Sequence, residues 1–600
     1  MMGLVNNGNM RKQPMENTKQ IFVVAWYCLL LIATACNSPN EKTEDAGPDS
    51  ALDTGLYAEG DSGIDDDSGH DAGPVITCFI YVNVGSTAQD PNGLSWEKAF
   101  RNVQEGIDSA YETVDRDAGE EICEVWVAEG VYYIFETSVI DTVQLKPGVH
   151  VYGGFEGTEV SKAERDWKQH QTILDGRKES WEETDAGSPI EMPEQTYHVV
   201  TGSDGSVLDG FTIREGIAPD QGAGMHLDGV STRIRNSRFV DNFAWEEGGG
   251  IMCDGCSALI ENCDFISNTA KFGGAIYNQG GNPKITNCRF QGNDAFSMLD
   301  TSVPDNYKYI GGHGGGIYNS ESEATISDCV FSQNTADMGG GGIYNAQSNP
   351  AIRDCEFDNN LGDTGMTQNT IWNIFQPTEE EIGGGGVYNN YSSPIISDCS
   401  FTSNSSENGG AIYNYGSNSI IMSCIIFKNS AGWGGGIQNK DSSPIISNSL
   451  INNNSSYSGG GIGNDFSAPT IINCTIVNNS ATYKGGVSLY GSYPDIINSI
   501  VWGNTPNQIV YSEETPGATA SVTYSNIQDS YEGIGNIDDE PAFEDIENGM
   551  FILSESSPCI DTADDNQAPP NDILGNDRVD VPGKGKPGTI SDIGAYEYRP

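Results

Sequence analysis

The 600-residue sequence is poor in basic charge: 29 Lys and Arg stand against 85 Asp and Glu, a formal net charge of −56. No basic stripe exists to neutralise phosphates, which excludes nucleic acid as a partner. Histidine is scarce, with six in the chain. Cys253 and Cys256 have the spacing of half a zinc site, but no matching pair or His follows. Long apolar runs are also missing. Ile21 to Ile32 is too short to span a bilayer comfortably; behind Arg11, Lys12 and Lys19 it reads as the apolar part of a signal segment. From Glu41 to Gly73 eleven Asp or Glu face Lys42 alone, so that stretch has no means to build a core and self-repulsion extends it. Asp65-Asp66-Asp67 within it is not followed by the Gly-centred, Glu-terminated loop of a calcium hand. The acidity as a whole reads as solubility of a surface protein or as affinity for divalent cations.

What the chain does have is glycine, 74 residues of it, and a repeat. Gly314-Gly315-Gly316-Ile317-Tyr318-Asn319 recurs at 340–345 and, with small changes, along the whole middle of the chain. Its apolar column is Met225, Ile251, Ile276, Ile317, Ile343, Val387, Ile412, Ile437 and Ile462, with steps of 26, 25, 41, 26, 44, 25, 25 and 25 residues. A period near 25 broken by two insertions is a solenoid with one coil per repeat. A second phrase supplies further columns: Phe239, Phe265, Phe290, Phe331, Phe357 and Phe401; Asn242 through Asn504 three residues later; and Cys263, Cys288, Cys329, Cys355, Cys399, Cys424 and Cys474, with Ser449 and Ser499 in the gaps. Cys288 and Phe290 are two apart and share a face, whereas Ile285 and Cys288 are three apart and need a turn between them. That turn position is Asn or Asp in nearly every coil, from Asn236 to Asn498, the types that tolerate a left-handed backbone. The fold class that follows is all-β: a right-handed parallel β-helix solenoid of about 25 residues and three short strands per coil, with ladders inside it. Phe100, Val103, Ile107 and Tyr111 predict an amphipathic helix over 96–111 that caps the open first coil.

Particular stretches resemble known families. Ala33-Thr34-Ala35-Cys36 resembles the bacterial lipoprotein cleavage box, with Ala33 where Leu is usual; this implies a lipid on Cys36, and Asn37 beside it implies the outer membrane. Plain secretion with cleavage after Ala35 is the alternative. Tyr81-Val82-Asn83 through Ser95-Trp96, Trp126 to Tyr132, and Tyr152 to Gly157 are similar to secreted bacterial β-helix proteins. The Gly-Gly-Ala-Ile-Tyr-Asn repeats resemble polymorphic membrane proteins, and the ending around Asp592 to Tyr598 resembles the C-terminal region of choice-of-anchor β-helix proteins. The resemblance implies the pectate-lyase fold and surface exposure, and no single activity. The expected organisation is a signal peptide at 1–35, an Asp-rich linker at 36–76, a cap and first coils at 77–196, regular coils at 197–504, and C-terminal coils with a capping or anchor-type region at 505–600.

The Cys column reads as small core residues rather than metal ligands; disulfides between coils are within reach, but the Ser replacements show that they are not required. Asp328, Asp354 and Asp398 occupy one turn column, as turn formers or as carboxylates sharing calcium. Lys308, His313 and Arg353 are the candidate bases for a lyase, and none recurs in a catalytic arrangement. The insertions near Phe296–Gly311 and Leu361–Ile382 leave the coil at the same place and carry Phe296, Tyr307, Tyr309, Trp372 and Phe375. Aromatic loops over a long sheet suit a glycan, or they pack on themselves. The leading expectation is a non-catalytic, lipid-anchored surface protein that adheres to glycans or to host or neighbouring cells and needs no cofactor. A polysaccharide lyase using calcium and a passive spacer are the alternatives.

Overall fold

A computed structural model describes residues 75–114, 121–179, 194–300, 308–363, 382–515, 517–546 and 549–600. Three parallel sheets run the length of these residues. Sheet A has 15 strands, from Val75–Val82 to Ser521–Thr523; sheet B has 14, from Gly130–Tyr133 to Asn526–Ile527; sheet C has 13, from Val143–Gln144 to Ile509–Tyr511. Strand order follows chain order, so each coil adds one rung to every sheet. The expected three strands per coil become four in most coils. A narrow sheet D follows sheet B, from Ile217–Ala218 to Thr335–Ala336 and again from Ser405–Asn408 to Ser480–Lys484, with Leu361 bridging the two parts.

The columns read from the sequence become ladders. Phe239, Phe265, Phe290, Phe331, Phe357 and Phe401 stack with centroids 4.6–5.0 Å apart and planes within 7°. The turn residues Asn236, Asn262, Asn287, Asp328, Asp354, Asp398, Asn448, Asn473 and Asn498 all have φ between 46° and 55°. This left-handed backbone bends sheet A into sheet B and lets Ile285 and Cys288 both face inward. The Asn242–Asn504 column is interior, each amide from Asn242 to Asn479 bonding to the next coil's amide and to a carbonyl of the coil before, and Asn504 ending the ladder on Gln508. A second amide ladder was present in the repeated phrase: Asn278, Asn319, Asn345, Asn389, Asn414, Asn439 and Asn464 bond in series at 2.7–2.9 Å. Glycine is required at the corner between sheets D and C; a Cβ on Gly316 would stand 2.5 Å from the Gly342 carbonyl oxygen.

One further expectation is corrected. The helix does not fill 96–111: a short 3-10 turn spans Trp96–Lys98, and the α-helix, α1, spans Val103–Thr113. Phe100 between them bridges to Val82 as a strand residue, and Asn102 caps α1 by accepting the Gln104 N–H at 2.7 Å. Val103, Ile107 and Ala110 of α1 are buried in the core at the first coils. Beyond Asn504, Ile509–Tyr511, Ser521–Thr523 and Asn526–Ile527 continue sheets C, A and B. Residues 551–600 then fold back along the outside of sheet B, where Ile560, Ile593 and Ala595 share a second core with Leu450, Val477 and Ile500.

Cys263, Cys288, Cys329, Cys355, Cys399, Cys424 and Cys474 are buried free thiols. Burial pushes the Cys474 thiol up to about 12. Cys253 and Cys256, whose spacing suggested half a metal site, form a disulfide, and a second joins Cys78 to Cys123 across the first two strands of sheet A.

Candidate functional site

Sheet D and the described ends of the two insertions, at Phe296 and Leu361, share one edge of the coil stack. The first insertion is an antiparallel hairpin of Ser297–Asp300 and Lys308–Gly311. The side chains of Lys308 and Tyr309 and all of Tyr307 lie outside the described residues. At the hairpin base, Asp337 accepts from the Ser297 N–H and hydroxyl at 2.7 and 2.9 Å. Phe296 stacks on Phe243 at 5.7 Å and meets the edge of Trp245 at 6.2 Å, so it is packed against its own coils rather than carried out on the loop. Trp372 and Phe375 of the second insertion, and Cys36, fall outside the described residues.

Farther along sheet D lies a group that the sequence reading passed over. Trp433, Tyr457 and Tyr483 come from three successive coils, with ring centroids 5.4 and 4.6 Å apart. Their exposures are 38%, 47% and 56%, so each ring offers surface to a ligand. Beside them Ser405, Ser430, Ser455 and Ser480 stand in register, with Ser430 Oγ donating to Ser405 Oγ at 3.0 Å. Across the four strands Glu407 and Lys484 are the only charged residues. The signal was there in Gly432-Trp433, Ser456-Tyr457 and Thr482-Tyr483 just before the glycine phrase, but adjacency of these rings appears only once coils are stacked.

The other candidates do not converge on that edge. His313 lies between Phe272 and Tyr344, at 6.0 and 4.5 Å, over the outer face of sheet C. Arg353 is exposed at the end of a sheet A strand, on a different face. Asp328, Asp354 and Asp398 line the A–B turn column, exposed to solvent. Desolvation, then Asp398 and Asp328, raise the Asp354 carboxyl above its ordinary value, so the three carboxylates do feel one another. Among the described residues no group of three or more His, Cys, Asp and Glu is placed to hold a metal ion.

A second concave surface runs along that same turn column nearer the N-terminus. It is a groove of about 680 Å³ lined by Asn236, Asn262, Asn287, Arg238, Asp264 and Arg289, with Trp167 and Lys168 at one end. Trp167 is set there by glycines: its backbone lies over Gly154, where a Cβ would stand 2.5 Å from the Trp167 Cα.

The family described as "Right handed beta helix region" matches residues 221–367 and 366–505. No curated protein sequence matches the chain. Solved structures similar to it include the pectate lyase Pel9A, at 13% identity and a TM-score of 0.27, covering 88% of this chain and 98% of that one. Tailspike protein 3 of bacteriophage CBA120 is 10% identical with a TM-score of 0.36, covering 77% and 60%. The catalytic unit of the GH87 α-1,3-glucanase of Streptomyces thermodiastaticus strain HF3-3 is 14% identical with a TM-score of 0.34, covering 79% and 71%. With its sequential parallel sheets and this family match, the chain is a right-handed parallel β-helix.

Proposed function

We propose that the protein is a non-catalytic, glycan-binding β-helix displayed at the cell surface, tethered to the outer membrane by lipid on Cys36. The observation that carries the binding role is the edge of sheet D, where Trp433, Tyr457 and Tyr483 rise coil by coil beside a ladder of serine hydroxyls. Sugar rings present C–H faces that stack on aromatics and hydroxyls that bond to hydroxyls. A strip with so little charge, on a chain of net charge −56, favours a neutral, polyhydroxylated ligand over an ionic one. The rings repeat at 4.6–5.4 Å, the scale of one sugar unit, so an extended glycan lying along the coil axis would meet a new ring at each step. The hairpin and its Phe243–Trp245–Phe296 base continue the same edge.

The test is a glycan array probed with the purified full chain, with and without calcium, reading both binding and unsaturated product by ultraviolet absorbance. Tyr457→Ala and Tyr483→Ala are expected to weaken binding roughly tenfold each, as loss of a stacked ring does. Product formation would replace the reading with a lyase, and binding indifferent to both substitutions would remove sheet D as the site. Lipidation is tested separately: an alkyne-tagged fatty acid fed to cells should label the wild type and not Cys36→Ser.

A further inference from the structure

The groove at the corner between sheets A and B is one end of a longer surface. Its turn column passes from Asn236, Asn262 and Asn287 through Asp328, Asp354 and Asp398 to Asn448, Asn473 and Asn498. The last three lie beneath residues 551–600, and there the structure shows what the column binds. Asn448 Nδ2 donates to the Asn571 carbonyl at 2.8 Å, and Asn473 Nδ2 to the Asp592 and Gly594 carbonyls at 3.0 and 3.3 Å. Asn498 works both ways, donating to the Asp564 carbonyl at 3.0 Å and accepting the Asp564 N–H at 2.7 Å. This is recognition of peptide backbone by side-chain amides. It coexists with bonding along the column, since Asn498 Nδ2 also reaches Asn473 Oδ1 at 3.2 Å.

Among the described residues, the open part repeats these groups without a covering segment. Asn287 Nδ2 donates to Asn262 Oδ1 at 2.6 Å, and Asn236 Nδ2 to Asp209 Oδ1 at 2.9 Å. A primary amide has two N–H donors and two acceptor lone pairs, so each ladder bond leaves capacity for a ligand. Asn262 and Asn287 are exposed, whereas Asn473 and Asn498 are fully buried under residues 551–600. The floor differs, and the difference sets the occupant. Under the covered part the first outward column of sheet B is Leu450, Thr475 and Ile500: Leu450 and Ile500 share a core with Ile560, Ile593 and Ala595, and Thr475 Oγ1 accepts the Ala595 N–H at 3.0 Å. In the open part the matching column is Arg238, Asp264 and Arg289. Asp264 lies between the two guanidinium groups, 3.7 Å from Arg238 Nε and 3.1 Å from Arg289 Nε, and one carboxylate between two cations leaves an excess of positive charge. Lys168 adds to it at the Trp167 end, and Asp328 in the same lining offsets one charge, so three cations face two carboxylates. On so acidic a chain this local excess is selective, and guanidinium groups favour carboxylate partners.

We propose that the open groove binds an extended, carboxylate-bearing polypeptide segment of a partner protein. Asn236, Asn262 and Asn287 hold its main chain as their counterparts hold residues 551–600, and Arg238 and Arg289 take its carboxylates. The interface already formed inside the molecule is thereby continued to an outside partner, on a face separate from sheet D.

The experiment is selection of a displayed library of random peptides, about twelve residues long and so up to ~40 Å when extended, on the purified full chain. Selected peptides are then synthesised and titrated by fluorescence anisotropy. The expected result is enrichment of Asp- and Glu-containing peptides whose affinity falls with added salt. Arg289→Glu and Asn262→Gly should each weaken them roughly tenfold or more. Glycine at 262 keeps the left-handed turn, so a folded variant is assured by backbone chemistry and checked by its melting temperature. Tyr457→Ala on sheet D should leave peptide binding unchanged. Failure to enrich acidic peptides, or affinity indifferent to both groove substitutions, overturns the proposal. So does an outcome in which those substitutions abolish glycan binding instead, which would make the groove a saccharide site.

Discussion

Asn404 ties three coils together. Its Nδ2 donates to the Phe357 carbonyl of the preceding coil at 2.9 Å and to Asn429 Oδ1 of the next at 3.0 Å, while its Oδ1 receives the Asn360 N–H at 2.9 Å. The side chain is fully buried, so no water can replace these partners. Asn404→Ala should therefore cost about 2–5 kcal/mol, because more than one interior polar group loses its partner at about 1–3 kcal/mol each. Urea denaturation measures this, and a loss under ~1 kcal/mol would contradict the ladder's role. The Cys column illustrates the same bonding in a gentler form. Cys399 Sγ donates to the Ser397 carbonyl at 3.0 Å, and in the same column Ser449 Oγ donates to the Ser447 carbonyl at 2.8 Å. Thiol and hydroxyl do one job here, which is why serine fills the gaps in the column.

At the scale of elements, the exposed end of the first coil is closed by α1. Gly106 lets the helix approach so closely that a Cβ would stand 2.4 Å from Val82 Cγ2, and Ile107 is fully buried beneath it. Without that cover, the apolar interior at Ile80, Val82 and Val125 would face water. Ile107→Asp should undock the helix and expose this patch and the chain should self-associate. Light scattering on freshly eluted protein reads the outcome; a monomeric, unchanged variant would show that the cap is dispensable. The Cys78–Cys123 disulfide secures the same end by joining its first two strands. At the other end the element with that role is irregular: residues 551–600 lie along the side of the coils.

For the whole molecule, pH acts through carboxylates that folding desolvates. Burial, then the neighbouring Glu597, pushes the Asp592 carboxyl up to about 8, and burial pushes Asp465 up to about 6. An acid whose folded value exceeds its unfolded value of about 4 holds its proton more tightly in the native state. Its stabilisation is complete below about pH 4 and is lost as pH rises through the folded value, so these two groups lower stability between about pH 4 and 8. The melting temperature of the wild type should fall over that range, and Asp592→Asn should flatten the upper part of the fall. Parallel curves for wild type and variant would exclude Asp592 as a source of the slope. The net charge of −56 adds self-repulsion in the same direction as carboxylates ionise.

The coil, its period and its interior were legible in the sequence because a solenoid repeats the same local environment, and each environment leaves a column of like residues: phenylalanine in the stack, asparagine in the ladder, Asn or Asp at the left-handed turn. The insertions were legible for the opposite reason, as breaks in the period. What the sequence left open depends on residues about 25 apart becoming neighbours across one strand spacing. Trp433, Tyr457 and Tyr483 are no column in the repeat, being offset by a residue between coils, yet stacking sets their rings side by side. Asn473 and Asn262 occupy the same position of the repeat and read alike, but residues about 120 positions downstream bury the first and leave the second in solvent. The sequence by itself determined the scaffold, through local backbone geometry and the periodic burial of apolar and amide side chains. Tertiary structure alone decided which parts of that scaffold are covered and which stay open to a ligand, because covering depends on contacts between distant segments that no period encodes.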